Sequence, residues 1–103
     1  MKETVDKTMN AMTLEEKVGQ LFMARVPEQN QVADIQNYHL GGYLLFDRDM
    51  EGKGQAEVKQ AITSYQEASK MPMFIGSDEE GGTVSRLSRN QIVSPPFQSP
   101  QAL

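Results

Sequence analysis

The sequence contains no cysteine, which excludes disulfide frameworks and thiolate metal sites and leaves the redox compartment open. It also lacks a basic excess: 14 acidic side chains against 10 basic ones leave a net charge of −4. Nucleic-acid binding is driven by clustered Lys and Arg that release counterions from phosphate. Neither nucleic acid nor an anionic membrane surface is therefore an expected partner. No long apolar run opens the chain, since Met1-Lys2-Glu3-Thr4-Val5-Asp6 can serve neither as a signal sequence nor as a membrane span. A cytoplasmic protein is the simplest reading, and an exported form without its signal would read identically. Histidine occurs once, at His39 near the end of a predicted helix, where capping or a surface position is the ordinary role. No cofactor or metal is expected. Internal repeats and low-complexity tracts are also missing.

What is present has an ordinary globular balance, with 38% hydrophobic and 23% charged residues in 103. That length suffices for one domain with a modest core. The first clear element begins at Thr13, where Thr13-Leu14-Glu15-Glu16 has the form of a capping box. Leu14, Val18, Leu21 and Phe22 follow at helical spacing as one apolar stripe. Phe22 to Val26 is a short apolar run ended by Pro27, and it predicts a buried strand. A polar-faced helix is predicted from Glu28 to Leu40, with Gly41-Gly42 suited to its C-terminal cap by positive φ. Tyr43-Leu44-Leu45-Phe46 predicts a strand buried on both faces.

A charged loop, Asp47 to Lys53, is followed by a predicted helix from Gly54 to Lys70 with Val58, Ile62 and Tyr65 on one face. Met71-Pro72 breaks it, and Met73-Phe74-Ile75-Gly76 predicts the third buried strand. From Asp78 onward the chain is polar and rich in Gly, Ser and Pro, and no further element is evident. Helix followed by strand–helix–strand–helix–strand predicts an α/β fold with a parallel sheet built from right-handed crossovers. A (β/α)₈ barrel takes about 250 residues, so three strands amount to well under half of one.

The segment Gly76-Ser77-Asp78-Glu79-Glu80-Gly81-Gly82-Thr83-Val84-Ser85-Arg86 directly follows a predicted strand, and in α/β proteins ligands bind at the carboxyl ends of strands. A carboxylate there can accept from two neighbouring hydroxyls, and an arginine eight residues on can donate, a combination that suits a sugar. A solvated acidic turn with Arg86 as its counter-ion is the plain alternative. Two imitations are set aside. Gly76, Gly81, Gly82 and Thr83 outline a phosphate loop, but glycine replaces the lysine and three carboxylates line it. Asp47-Arg48-Asp49-Met50-Glu51-Gly52 imitates a calcium loop, but Val58 stands where a bidentate glutamate is needed.

Several stretches together resemble family 3 glycoside hydrolases. Met12 to Leu21 resembles the opening helix of that family, and Gly41-Gly42-Tyr43-Leu44-Leu45-Phe46 its Gly-Gly strand segment. Asp78 to Arg86 is similar to the Asp-x-Glu-Gly-Gly-x-Val-x-Arg signature of its β-N-acetylhexosaminidase branch. Pro96-Phe97-Gln98-Ser99-Pro100 with Ala102-Leu103 resembles the Pro-rich segment that follows. Thr83 departs from the family, whose members often carry arginine there.

The resemblance implies the first β/α units of a TIM-type (β/α)₈ barrel, incomplete here, with residues 1–103 as the N-terminal part of a single barrel domain. It implies retaining hydrolysis that releases terminal β-linked N-acetylhexosamine from N-acetylglucosamine-containing glycans. Asp78 would accept hydrogen bonds from hydroxyls of the non-reducing sugar, and Arg86 would donate to the same sugar. Glu80 and the glycines would shape the loop. The resemblance assigns the nucleophilic aspartate and the acid/base histidine to positions beyond residue 103, so no catalytic residue is expected in this chain and the chain alone is expected to be inactive. A retaining pair of carboxylates flanks its bond at about 5 Å, which neighbouring Glu79 and Glu80 at one strand end cannot do. The rival expectation is a standalone α/β sugar-binding or interaction module. An open parallel sheet predicts self-association, disorder after about Gly76, or both.

Overall fold

In a computed structural model, which describes residues 1–101, the chain is a mixed α/β structure around a three-stranded parallel sheet. The Ala102-Leu103 part of the Pro-rich resemblance lies outside the described residues. The elements run α1 (Lys2–Ala11), α2 (Leu14–Gly19), β1 (Met23–Arg25), α3 (Gln31–Tyr38), β2 (Gly42–Leu45), α4 (Asp47–Met50) and α5 (Gln55–Ala68). β3 (Phe74–Ser77), β4 (Glu79–Gly81), β5 (Val84–Ser85) and α6 (Arg86–Arg89) complete them. Strand order is sequential, β1-β2-β3, with Met23 opposite Gly42 and Leu45 opposite Ser77.

α1 stands where no element was expected. Its apolar residues are sparse, none of its side chains is buried, and it carries no side-chain cap, so no periodic signal announces it. α2 begins as the sequence predicts. Thr13 Oγ1 accepts from the Glu16 amide at 3.1 Å, while the same hydroxyl donates to Glu16 Oε1 at 3.2 Å, so the glutamate meets the cap's hydroxyl. The helix ends at Gly19, however, and its apolar stripe is not core: Leu14 and Leu21 remain 72% and 84% exposed.

Gly41 and Gly42 are not the positive-φ cap. His39 ends α3 in the left-handed conformation, φ 54°, in the capping place anticipated for it, and its carbonyl accepts from Gln20 Nε2 at 3.2 Å. The glycines are needed for close approach instead. A Cβ on Gly41 would strike the Gln20 carbonyl, and one on Gly42 would lie 2.6 Å from the Phe74 carbonyl oxygen.

One face of the sheet is covered. Val26, Tyr43, Leu45 and Met73 are buried there beneath Ile35 of α3, Met50 of α4, and Val58 and Tyr65 of α5. Tyr43 is fully buried, donates to the Gln31 carbonyl at 2.6 Å, and meets Tyr65 edge to face at 5.2 Å. Burial, then the nearby Asp34 and Tyr65, push its phenol up to about 12. Gln66 of α5 clasps the start of β3, donating to the Met73 carbonyl at 2.9 Å and accepting from its amide at 2.8 Å.

Alternation along the strands sends Met23, Arg25, Gly42, Leu44, Phe46, Phe74 and Gly76 to the other face. That face has no layer over it among the described residues, and Phe74 is 78% exposed. The Tyr43–Phe46 strand, predicted to be buried on both faces, is thus covered on one only, and its two neighbours share that bare face. Downstream, the segment expected to lack structure holds the β4–β5 hairpin and the single turn α6, and Ile92 beyond them joins the core.

Candidate functional site

The carboxyl ends of β1, β2 and β3 carry Arg25, then Phe46 and Asp47, then Asp78. The chain after β3 turns back through the hairpin, so that α6 packs beside α4 and returns Arg86 to those strand ends. The glycines make this reversal possible: Gly81 and Gly82 have φ of +77° and +71°, a region side chains disfavour. Gly81 is also overlain by the Gln98 carbonyl, which occupies the place of a Cβ.

The two residues singled out for sugar binding come together through the backbone, the Arg86 amide donating to the Asp78 carbonyl at 3.0 Å. Their side chains behave differently. Asp78 is exposed and takes part in no ion pair among the described residues. Arg86 is partly buried and its Nη1 donates to Asp47 Oδ2 at 2.6 Å, while its buried Nε has no hydrogen-bond partner. One donor of the guanidinium is fixed and another is unused.

Asp47 is the residue that sequence reasoning missed. It accepts from Arg86, from Arg89 Nη1 at 3.3 Å, and at Oδ1 from Asn90 Nδ2 at 3.0 Å. Asn90 also donates to the Arg86 carbonyl at 2.8 Å, and Arg89 reaches the Thr83 carbonyl. With its oxygens engaged by two cations and an amide, Asp47 is an anchor, ill suited to act as base or nucleophile. The imitation calcium loop is in fact the short helix α4, with Asp49 Oδ2 accepting from the Phe46 amide at 2.8 Å. The rule that drew attention to Asp78, a polar residue directly after a buried strand, applies equally to Asp47.

Of the three adjacent acids, Glu79 faces inward. Its Oε2 accepts from the Leu87 and Ser88 amides at 2.8 and 3.1 Å, closing the first turn of α6. Burial alone would raise its carboxyl, but the neighbouring Ser85 and Ser88 hydroxyls and these two amides outweigh that and hold it below the ordinary 4.5. Ser85 acts by proximity, since neither its Oγ nor Glu79 Oε1 makes a hydrogen bond of normal geometry. Glu80 is exposed. Among the described residues no group of three or more His, Asp or Glu side chains is disposed to hold a metal ion.

A parallel sheet covered by helices on one face, with a polar loop at the carboxyl ends of its strands, is a mixed α/β arrangement of the kind in which ligands bind at those ends. The chain belongs to glycosyl hydrolase family 3: the model of that family's N-terminal domain matches residues 13–102. A β-hexosaminidase A of Pseudoalteromonas piscicida is 35% identical over 71 residues, 66% of this chain and 12% of the relative. β-Hexosaminidases from two strains of Haemophilus influenzae are each 31% identical over 72 residues, 70% of this chain and 20% of theirs. The chain therefore spans 12–20% of the length of these relatives.

Proposed function

We propose that this chain is the opening part of a glycoside hydrolase that releases terminal β-linked N-acetylhexosamine by retaining hydrolysis. Residues 1–103 form, on this reading, the first β/α units of a single (β/α)₈ barrel domain. Three features support the barrel: sequential strand order, α3 and α5 side by side on one face, and a second face bearing only Met23, Arg25, Leu44, Phe46, Phe74 and two glycines. A doubly wound sheet would place helices on both faces. In a barrel the bare face becomes the interior, filled by layers of side chains from the remaining strands.

The observation that carries the functional reading is the meeting of Asp78 and Arg86 at the carboxyl ends of the strands, within the matched segment. Asp78 accepts from sugar hydroxyls, and Arg86, anchored by Asp47, donates to the same ring. Glu79 is occupied at the start of α6 and is not half of a catalytic pair. The groups that cleave the bond come from outside this chain, which alone binds without turnover. Titration of the ¹⁵N-labelled chain with N-acetylglucosamine is expected to shift the amides of residues 78–86, and Asp78→Asn to weaken binding about tenfold. Undiminished binding by Asp78→Asn, or hydrolysis of an aryl N-acetylglucosaminide by the pure chain, would refute this reading.

A further inference from the structure

Asp47 holds the Arg86 guanidinium by one corner. Its Oδ2 meets Nη1 at 2.6 Å, while the buried Nε has no hydrogen-bond partner. The carboxylate is itself fixed at both oxygens: Asn90 Nδ2 donates to Oδ1 at 3.0 Å, and Arg89 Nη1 reaches Oδ2 at 3.3 Å. A carboxylate gripped in this way has little freedom to swing, so the corner of Arg86 that it holds is fixed too. The Phe46 ring, with its centroid 5.4 Å from the Arg86 guanidinium carbon, is a second neighbour to that group.

The other carboxylates nearby are committed elsewhere. Asp49, on the same turn of α4, accepts from the Phe46 amide at 2.8 Å and lies 4.0 Å from Arg48 Nε. Glu28 pairs with Arg48 at 3.0 Å, and Glu79 holds the Leu87 and Ser88 amides. A free arginine samples many rotamers, and a ligand that orders it loses affinity for doing so. An arginine fixed beforehand by Asp47 escapes that loss.

We infer that Asp47 is a positioning residue for sugar binding, acting through Arg86 by fixing which edge of the guanidinium faces the ligand. This rests on the sugar-binding reading above and adds to it the residue that sets the arginine's geometry. A carboxylate that merely tied α6 to α4 would change stability and leave affinity alone. In Asp47→Asn a single amide oxygen faces three donors, and N-acetylglucosamine is expected to bind the ¹⁵N-labelled chain about fivefold more weakly. The Arg86 Nε–H resonance should broaden in that variant. Asp47→Glu keeps the charge but moves the oxygens by one methylene, so affinity and resonance should recover in part. Asp49→Asn, a change of the same kind on the same turn, should lower the urea midpoint and leave affinity unchanged. Parental affinity in both Asp47 variants, or an equal loss in Asp49→Asn, overturns the inference while Asp78-dependent binding leaves the sugar site standing. Should Asp47→Asn fail to fold, parental affinity in Asp47→Glu alone overturns it. Failure of the parent chain to bind N-acetylglucosamine removes the site and the inference together.

Discussion

Glu79 shows how one side chain in an acidic run differs from its neighbours. Asp78 and Glu80 are exposed, whereas Glu79 closes the α6 turn through two backbone amides. Its carboxyl is held below the ordinary 4.5, so the folded state favours the ionised form. The stabilisation is therefore complete above the unfolded value and is lost as pH falls through the folded one. Replacing Glu79 with Gln is expected to cost on the order of 1 kcal/mol at pH 7, a loss set by weakened charge-assisted bonds. The gap between the two urea midpoints should narrow as pH falls through the lowered titration range of the Glu79 carboxyl. A gap independent of pH would mean that charge plays no part. The sequence marked this run as chemical, but pattern alone cannot tell which of three adjacent carboxylates turns inward. Asp47 escaped for a related reason: its partners Arg86, Arg89 and Asn90 lie about forty residues away, and no local spacing encodes such pairing.

Elements with a strong local code were legible. The Thr13 cap, the Val58–Ile62–Tyr65 face of α5 and three strands in alternation with helices all follow from capping, periodicity and apolar runs. α1 has too few apolar residues to show a period, and β4, β5 and α6 are two to four residues long, too short for one. The hairpin depends on contacts from afar as much as on its own turn. Gly81 combines positive φ with the Gln98 backbone lying where a side chain would begin. Substituting Gly81 with Ala is expected to destabilise by at least about 1–3 kcal/mol from backbone strain alone. Amide exchange should rise across residues 79–89 in that variant, and unaltered protection there would show that the overlying segment yields freely.

The whole molecule is broad and thin. Its radius of gyration is 16.0 Å, with extents of 46 × 31 × 19 Å, where a compact domain of about 100 residues has roughly 13 Å. A groove of about 660 Å³ lies between α2 and the β1 edge, lined by Leu14, Val18, Phe22, Met23, Tyr38 and Leu40, most of them well exposed. Apolar surface of this kind, together with open parallel edges at β1 and β3, favours association. Sedimentation of the chain is expected to give a mass that rises with concentration above 11.5 kDa. A single 11.5 kDa species across the range would count against it.

The sequence by itself determined the alternation of strands and helices, the parallel sheet it implies, the family, and the segment from Asp78 to Arg86 as the place of interest. These are local properties, written in periodicity, caps and contiguous motifs. Tertiary structure alone decided that the sheet is covered on one face, that the α2 stripe lines a groove and not a core, and that Gly41 and Gly42 serve close approach. It also decided that Asp47 anchors Arg86. Burial and charge pairing are set by which distant segments come within a few ångströms of one another, and that is a property of the packed chain, not of any window along it.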